Sequence, residues 1–109
     1  MSKAAAQPVD PVLVRVWKTD PDDIFALFPV LPADNDGLLC TCYQHVGQHS
    51  SADYYLCIGK SRQASDEEAA ELLSELREIG YNPRVYRRAT PAMHDTRRKL
   101  ARDPDYYTV

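Results

Sequence analysis

Ser65 and Glu68 stand three residues apart at the head of an acidic triplet, Asp66-Glu67-Glu68, and Gly80 closes the same segment. Between them Ala69, Leu72, Leu73, Leu76 and Ile79 recur at three- and four-residue spacing. A Ser side chain can cap the amide three residues on, and a Glu there can return the bond, which makes a capping box. Carboxylates in a first turn suit the positive end of the helix dipole. Glycine just past the last turn accepts the left-handed backbone that ends a helix. The segment therefore predicts a helix over 66–79 with one apolar stripe, and whatever else the chain forms must cover that stripe.

The residues before it supply the cover. Val12-Leu13-Val14-Arg15-Val16-Trp17 is β-branched and aromatic, with Arg15 interrupting an otherwise apolar run. Turn chemistry follows in Thr19-Asp20-Pro21-Asp22-Asp23, then a second apolar run, Ile24 to Phe28, closed by Pro29. Pro32-Ala33-Asp34-Asn35-Asp36-Gly37 is a further loop, and Leu38 to Gln44 reads as a third strand. Period two puts Cys40 and Cys42 on one face of it and Thr41 and Tyr43 on the other. Residues 45–53 read as a loop or strand edge. Tyr54 to Ile58 reads as a short strand or a packed loop, which periodicity does not separate.

After the helix, Arg84 to Arg88 reads as a last strand, and Thr90-Pro91 as the cap and first residue of a second helix, about 91–102. Met93 and Leu100 are the apolar residues that stand out on it, so this helix needs something to hold it. The expected fold is α+β: a small, mainly antiparallel sheet of three N-terminal strands plus one after the main helix, one helix packed on a face, and a short C-terminal helix. At 109 residues one domain is expected: a flexible arm over 1–9, the α+β domain over 10–90, and a helical extension and tail over 91–109.

The start of the chain lacks the apolar core of a signal peptide, no apolar run approaches membrane-spanning length, and the cysteine count is odd. A cytoplasmic protein with free thiols and no membrane partner is expected. The net charge of −3 is unevenly spread: residues 1–80 hold six basic and thirteen acidic side chains, residues 81–109 seven and three.

Three groups of residues carry chemistry. The densest lies between Cys40 and Cys57, where Cys40, Cys42, His45, His49 and Cys57 are zinc's ligand types. Their spacing fits no common zinc finger, and cysteine is a frequent core residue in its own right; no cofactor is expected, with zinc as the alternative. The same residues allow a small enzyme pairing Cys42 or Cys57 with His49. Neither a P-loop nor G-x-G-x-x-G, H-E-x-x-H or G-x-S-x-G occurs, which favours binding over catalysis. The second group is the polar stretch around Gly47, with Tyr43, His45, Gln48 and His49, a surface suited to gripping a partner. The third is the C-terminal basic set, Arg84, Arg87, Arg88, Arg97, Arg98, Lys99 and Arg102, with Tyr86 interleaved. Guanidinium groups read phosphate and an aromatic ring stacks on a base, though the chain as a whole is acidic.

Ile24-Phe25-Ala26-Leu27-Phe28-Pro29, Pro32-Ala33-Asp34, Tyr43-Gln44-His45-Val46-Gly47-Gln48-His49, Ala52-Asp53 and Ile79-Gly80-Tyr81 together make a pattern. It resembles small uncharacterised proteins encoded by phages, prophages and other bacterial mobile elements, over roughly residues 12–90. The resemblance implies a bacterial or phage accessory protein and brings no activity, so it transfers no catalytic residue. Members of that family carry Ser near Cys42, which weakens a zinc site built on that cysteine. The functional expectation is a small binding protein in stoichiometric contact with a host protein or small ligand through Tyr43, His45, Gln48 and His49, with Arg84 and Arg88. The alternative is nucleic-acid or nucleotide binding through the C-terminal arginines.

Overall fold

Strand β1 (Asp10–Trp17) is apolar at successive positions because both faces of the sheet around it are covered. Val12, Val14 and Val16 pack on one side; Leu13 and Trp17 belong to a separate cluster on the other. The computed structural model describes residues 8–44 and 48–106, so His45, Val46, Gly47 and most of the expected N-terminal arm lie outside it.

β1 pairs antiparallel with β2 (Ile24–Pro32), β2 with β3 (Cys40–Gln44), and β3 with β4 (Gln48–Ala52). The far side of β1 is shared. β5 (Ser61–Gln63) runs antiparallel to its second half, and β6 (Pro83–Val85) parallel to its first. The carbonyls of Val14 and Val12 accept from the Ala64 and Tyr86 amides, where the two short strands converge. The sheet is mainly antiparallel, as the sequence predicts, with β4 and β5 added.

Helix α1 (Tyr54–Lys60) corrects one reading: the segment taken for a strand or packed loop is helical. Asp53 caps it, its carboxylate accepting from the Leu56 amide at 3.1 Å. Tyr54 and Cys57, one turn apart, are its buried residues. Helix α2 (Asp66–Ile79) has the predicted bounds and the complete capping box. Arg62 contacts the Glu68 carboxylate at both oxygens, 2.9 and 2.8 Å. Together with the Ser65 amide it draws that carboxyl down to about 2. Ala69, Leu72 and Leu76 are buried, whereas Ile79, expected on the same stripe, is exposed. Helix α3 (Pro91–Arg102) also has the predicted bounds, with Thr90 accepting from the Met93 amide.

α2 covers the face of Val12, Val14, Val16, Ala26, Phe28 and Tyr43. The opposite face packs Leu13, Phe25, Leu27, Cys40 and Cys42 with Tyr54 and Cys57 of α1. α3, drawn from sequence as part of an extension, lies against β2. It approaches closely at Gly37, whose φ of 72° and position leave no room for a side chain: a Cβ there would stand 2.7 Å from the Arg98 Cα.

Candidate anion-binding cleft

Arg15 decides where the chemistry of this molecule lies. The pleat turns it to the α1 side of β1, and it is only 9% exposed. Its Nε donates to Ser61 Oγ at 3.0 Å, and Nη2 donates to the Ser61 and Ile58 carbonyls at 2.8 and 3.4 Å. Ser61 Oγ in turn donates to the Cys57 carbonyl at 2.6 Å. Every acceptor is neutral, and no carboxylate among the described residues pairs with Arg15. Burial lowers its pKa, with the Tyr54 hydroxyl acting the other way. A buried cation held by dipoles alone carries an uncompensated desolvation cost. Nη1 makes no hydrogen bond to the described residues, and no unpartnered side-chain nitrogen among them is shut off from solvent. Nη1 is therefore open to the cleft that Arg15 lines.

That cleft, about 520 Å³, runs between α1, the connection from β6 to α3, and the first turns of α3. Arg87, Arg88 and Arg98 add three more guanidinium groups to its walls. The one carboxylate there, Asp95, faces Arg98 at 3.6 Å and is exposed. Tyr54 ties the walls together, its hydroxyl accepting from the Ala89 amide at 2.7 Å. The cleft is strongly positive in a chain whose net charge is −3.

His94 forms part of the same wall and is 6% exposed. Its Nδ1 lies 2.8 Å from Nη1 of Arg97. An arginine nitrogen can only donate, so Nδ1 accepts and the ring proton sits on Nε2. Burial first, then Arg97 and Arg98, lower the His94 pKa against a small opposing pull from Asp95. His94 thus presents a neutral N–H toward the cleft. Its ring is held edge-on to Tyr54 at 4.8 Å and parallel to Tyr55 at 5.5 Å.

Arg97 is 2% exposed and acts behind the wall. Nε donates to the Gly37 carbonyl at 2.8 Å and Nη1 to the Pro29 carbonyl at 2.7 Å. Residues 29–31 have no partner on β3, because the register jumps from Phe28 opposite Thr41 to Pro32 opposite Cys40. Arg97 satisfies a carbonyl where the ladder is interrupted, and in doing so fastens α3 to β2.

The structure divides the residues singled out from sequence. Arg88 lines the cleft. Arg84 lies over the Tyr86 ring at 5.6 Å, outside it. Tyr43 is fully buried under α2, which corrects its reading as a contact residue. His49 stands opposite Tyr43 in the β3–β4 register, edge-on to its ring at 4.9 Å. Its Nε2 lies 3.0 Å from the Tyr81 hydroxyl. Gln48 begins β4 opposite Gln44, and His45 lies outside the described residues. Cys40, Cys42 and Cys57 share the apolar cluster on the α1 face, away from His49. Burial pushes the Cys40 and Cys42 thiols up to about 12 and 11, and raises Cys57 as well, which disfavours the thiolate that metal binding and nucleophilic attack require. Among the described residues no group of three or more His, Cys, Asp or Glu is placed to hold a metal ion, and no helix is long and apolar enough to cross a membrane.

Arg15, Tyr54, Tyr55 and His94 line the cleft although the sequence analysis singles out none of them as a contact, and Arg97 of the C-terminal basic set acts behind it. Arg15 was visible as a lone charge in an apolar strand. Arg97 falls at four-residue spacing between Met93 and Ala101, the buried stripe of α3. A comparison with known protein families, curated proteins and solved structures finds no match.

Proposed function

We propose that this is an accessory binding protein that holds a small phosphate-bearing ligand in the cleft between α1 and α3. The observation that carries the reading is Arg15: a nine-tenths buried guanidinium with neutral partners only, one nitrogen left over, and three further arginines around the opening. An oxyanion supplies the missing countercharge, and guanidinium groups bind phosphate at two points. Of the two readings the sequence leaves open, this favours the arginines over the Tyr43–His49 stretch, and a small ligand over a host protein.

Thermal unfolding with increasing inorganic phosphate and sugar phosphates tests the reading. A ligand that binds only the folded protein raises stability by about 2.7 kcal/mol at a hundredfold excess over its Kd. Arg87 and Arg88 are exposed, so Arg87→Ala with Arg88→Ala is expected to leave the unligated melting point in place and abolish the phosphate-dependent rise. An equal rise in the double variant, or none in the wild type, rejects the cleft as a phosphate site.

A further inference from the structure

The cleft has two chemically different ends. We propose that its ligand is a nucleoside monophosphate, with the phosphate received by Arg15 and His94 and the base stacked on Tyr55. This rests on the phosphate reading above and names the rest of the molecule.

The phosphate end is made of donors. Arg15 leaves Nη1 unused, and His94, with Nδ1 occupied by Arg97, offers Nε2–H. Both side chains are at least nine-tenths buried and both line the cleft. Two donors on largely buried side chains, open to solvent and without an acceptor among the described residues, suit an oxyanion, whose lone pairs outnumber them. A phosphate alone does not account for a space of about 520 Å³, which lies in the range of sites for whole organic ligands, about 300–1,000 Å³.

The remaining wall indicates what fills that space. Tyr55 is 68% exposed, a large aromatic side chain left open on the cleft. Its orientation is set by the edge-on Tyr54 ring at 5.1 Å and the near-parallel His94 ring at 5.5 Å. A planar base stacks on such a ring with little sequence preference, while Arg87 and Arg88 remain with the phosphate at the opening of the cleft. A single nucleotide fits better than a strand. The cleft's four guanidinium groups gather around one space the size of a site for a single small ligand, rather than forming a groove that tracks a backbone.

Calorimetric titration of the full chain with adenosine 5′-monophosphate, ribose 5-phosphate and a ten-residue oligoadenylate tests this. Base stacking on an aromatic side chain corresponds to roughly ten- to a hundredfold in affinity. Adenosine monophosphate is expected to bind at least tenfold tighter than ribose 5-phosphate. Tyr55→Leu is expected to erase that difference and leave ribose 5-phosphate binding unchanged, while Tyr55→Phe retains it. Tyr55 is exposed, so both variants are expected to fold, which a melting curve checks. Equal affinity for the two phosphates overturns the nucleotide assignment and leaves the phosphate site standing. No binding of either overturns both. An oligoadenylate that binds more tightly than the monophosphate overturns the single-nucleotide assignment in favour of a strand.

Discussion

The two faces of the sheet are built on different terms. Under α2 the buried residues are aliphatic and aromatic, from Val12 and Phe28 to Leu72 and Leu76. Under α1 and α3 the apolar cluster is accompanied by every buried polar or charged residue among those described: Arg15, Ser61, His94 and Arg97. The first face can only stabilise. The second spends stability on groups that an apolar core would omit, and such departures cluster where a protein does its work. The contrast supports the proposed reading without any motif: the α2 side serves as scaffold and the other side holds the candidate cleft.

Breaking the scaffold face has the largest expected effect. Leu76 is fully buried in the middle of the α2 stripe. Leu76→Ala is expected to cost about 2–5 kcal/mol in urea unfolding, the range for a buried leucine truncated in a packed core. The fraction that remains folded should bind phosphate with unchanged affinity. A loss of affinity in that fraction would show that the two faces are not independent.

On the other face the expected cost is of another kind. Arg97→Met replaces a buried cation with an apolar side chain of similar length. Such swaps can be neutral when the charge alone is at issue. Here the Gly37 and Pro29 carbonyls lose their donor, at about 1–3 kcal/mol for each group left unpaired. Unfolding midpoints should fall, and amide exchange should rise first in α3. A variant as stable as the parent would show that the carbonyls find water and that α3 is held by apolar contact alone. Gly37→Ala attacks the same junction from the backbone, since its positive φ and the 2.7 Å approach to Arg98 both exclude a Cβ. About 1 kcal/mol or more is expected from the backbone conformation.

This difference between faces also explains what could be read in advance. α2 and α3 were legible to the residue because caps are local: Ser65 with Glu68, and Thr90 with Pro91, sit next to what they cap. α1 was not, because Tyr-Tyr-Leu-Cys-Ile suits strand or helix, and the choice is made by the Asp53 cap together with burial of Tyr54 and Cys57 against a sheet formed elsewhere. β4 is a polar edge strand whose pairing is visible only once β3 is in place. Of the cleft, Arg87, Arg88 and Arg98 are legible as part of the C-terminal basic set. Arg15 was noticed as an interruption and not as a ligand, since its open nitrogen depends on Ser61, forty-six residues away. Cys40, Cys42 and His49 lie close along the chain, but the pleat puts the cysteines on the α1 face and His49 beside Tyr43 on the other.

The smallest effect separates the faces by pH. His94 in the unfolded chain takes up a proton near pH 6.5. In the folded protein its pKa is lower, from burial and then from Arg97 and Arg98, with Asp95 opposing and the Tyr54 and Tyr55 rings packed against it. Between the two values the unfolded state binds more protons, so stability falls as pH is lowered through that window. The contribution is fully present above about pH 6.5 and gone once pH has passed below the folded value. Protonation would place a hydrogen on Nδ1, opposite the Arg97 donor, and so would disturb the side chain whose bonds to Gly37 and Pro29 fasten α3 to β2. His94→Asn keeps an acceptor for Arg97 and removes the titration. Its urea midpoints from pH 7.5 down to 5 should decline less than those of the parent, the difference between the two curves being the share of His94 alone. If the two curves run parallel, the folded and unfolded imidazoles titrate together, and burial with Arg97 and Arg98 does not hold His94 neutral below about pH 6.5.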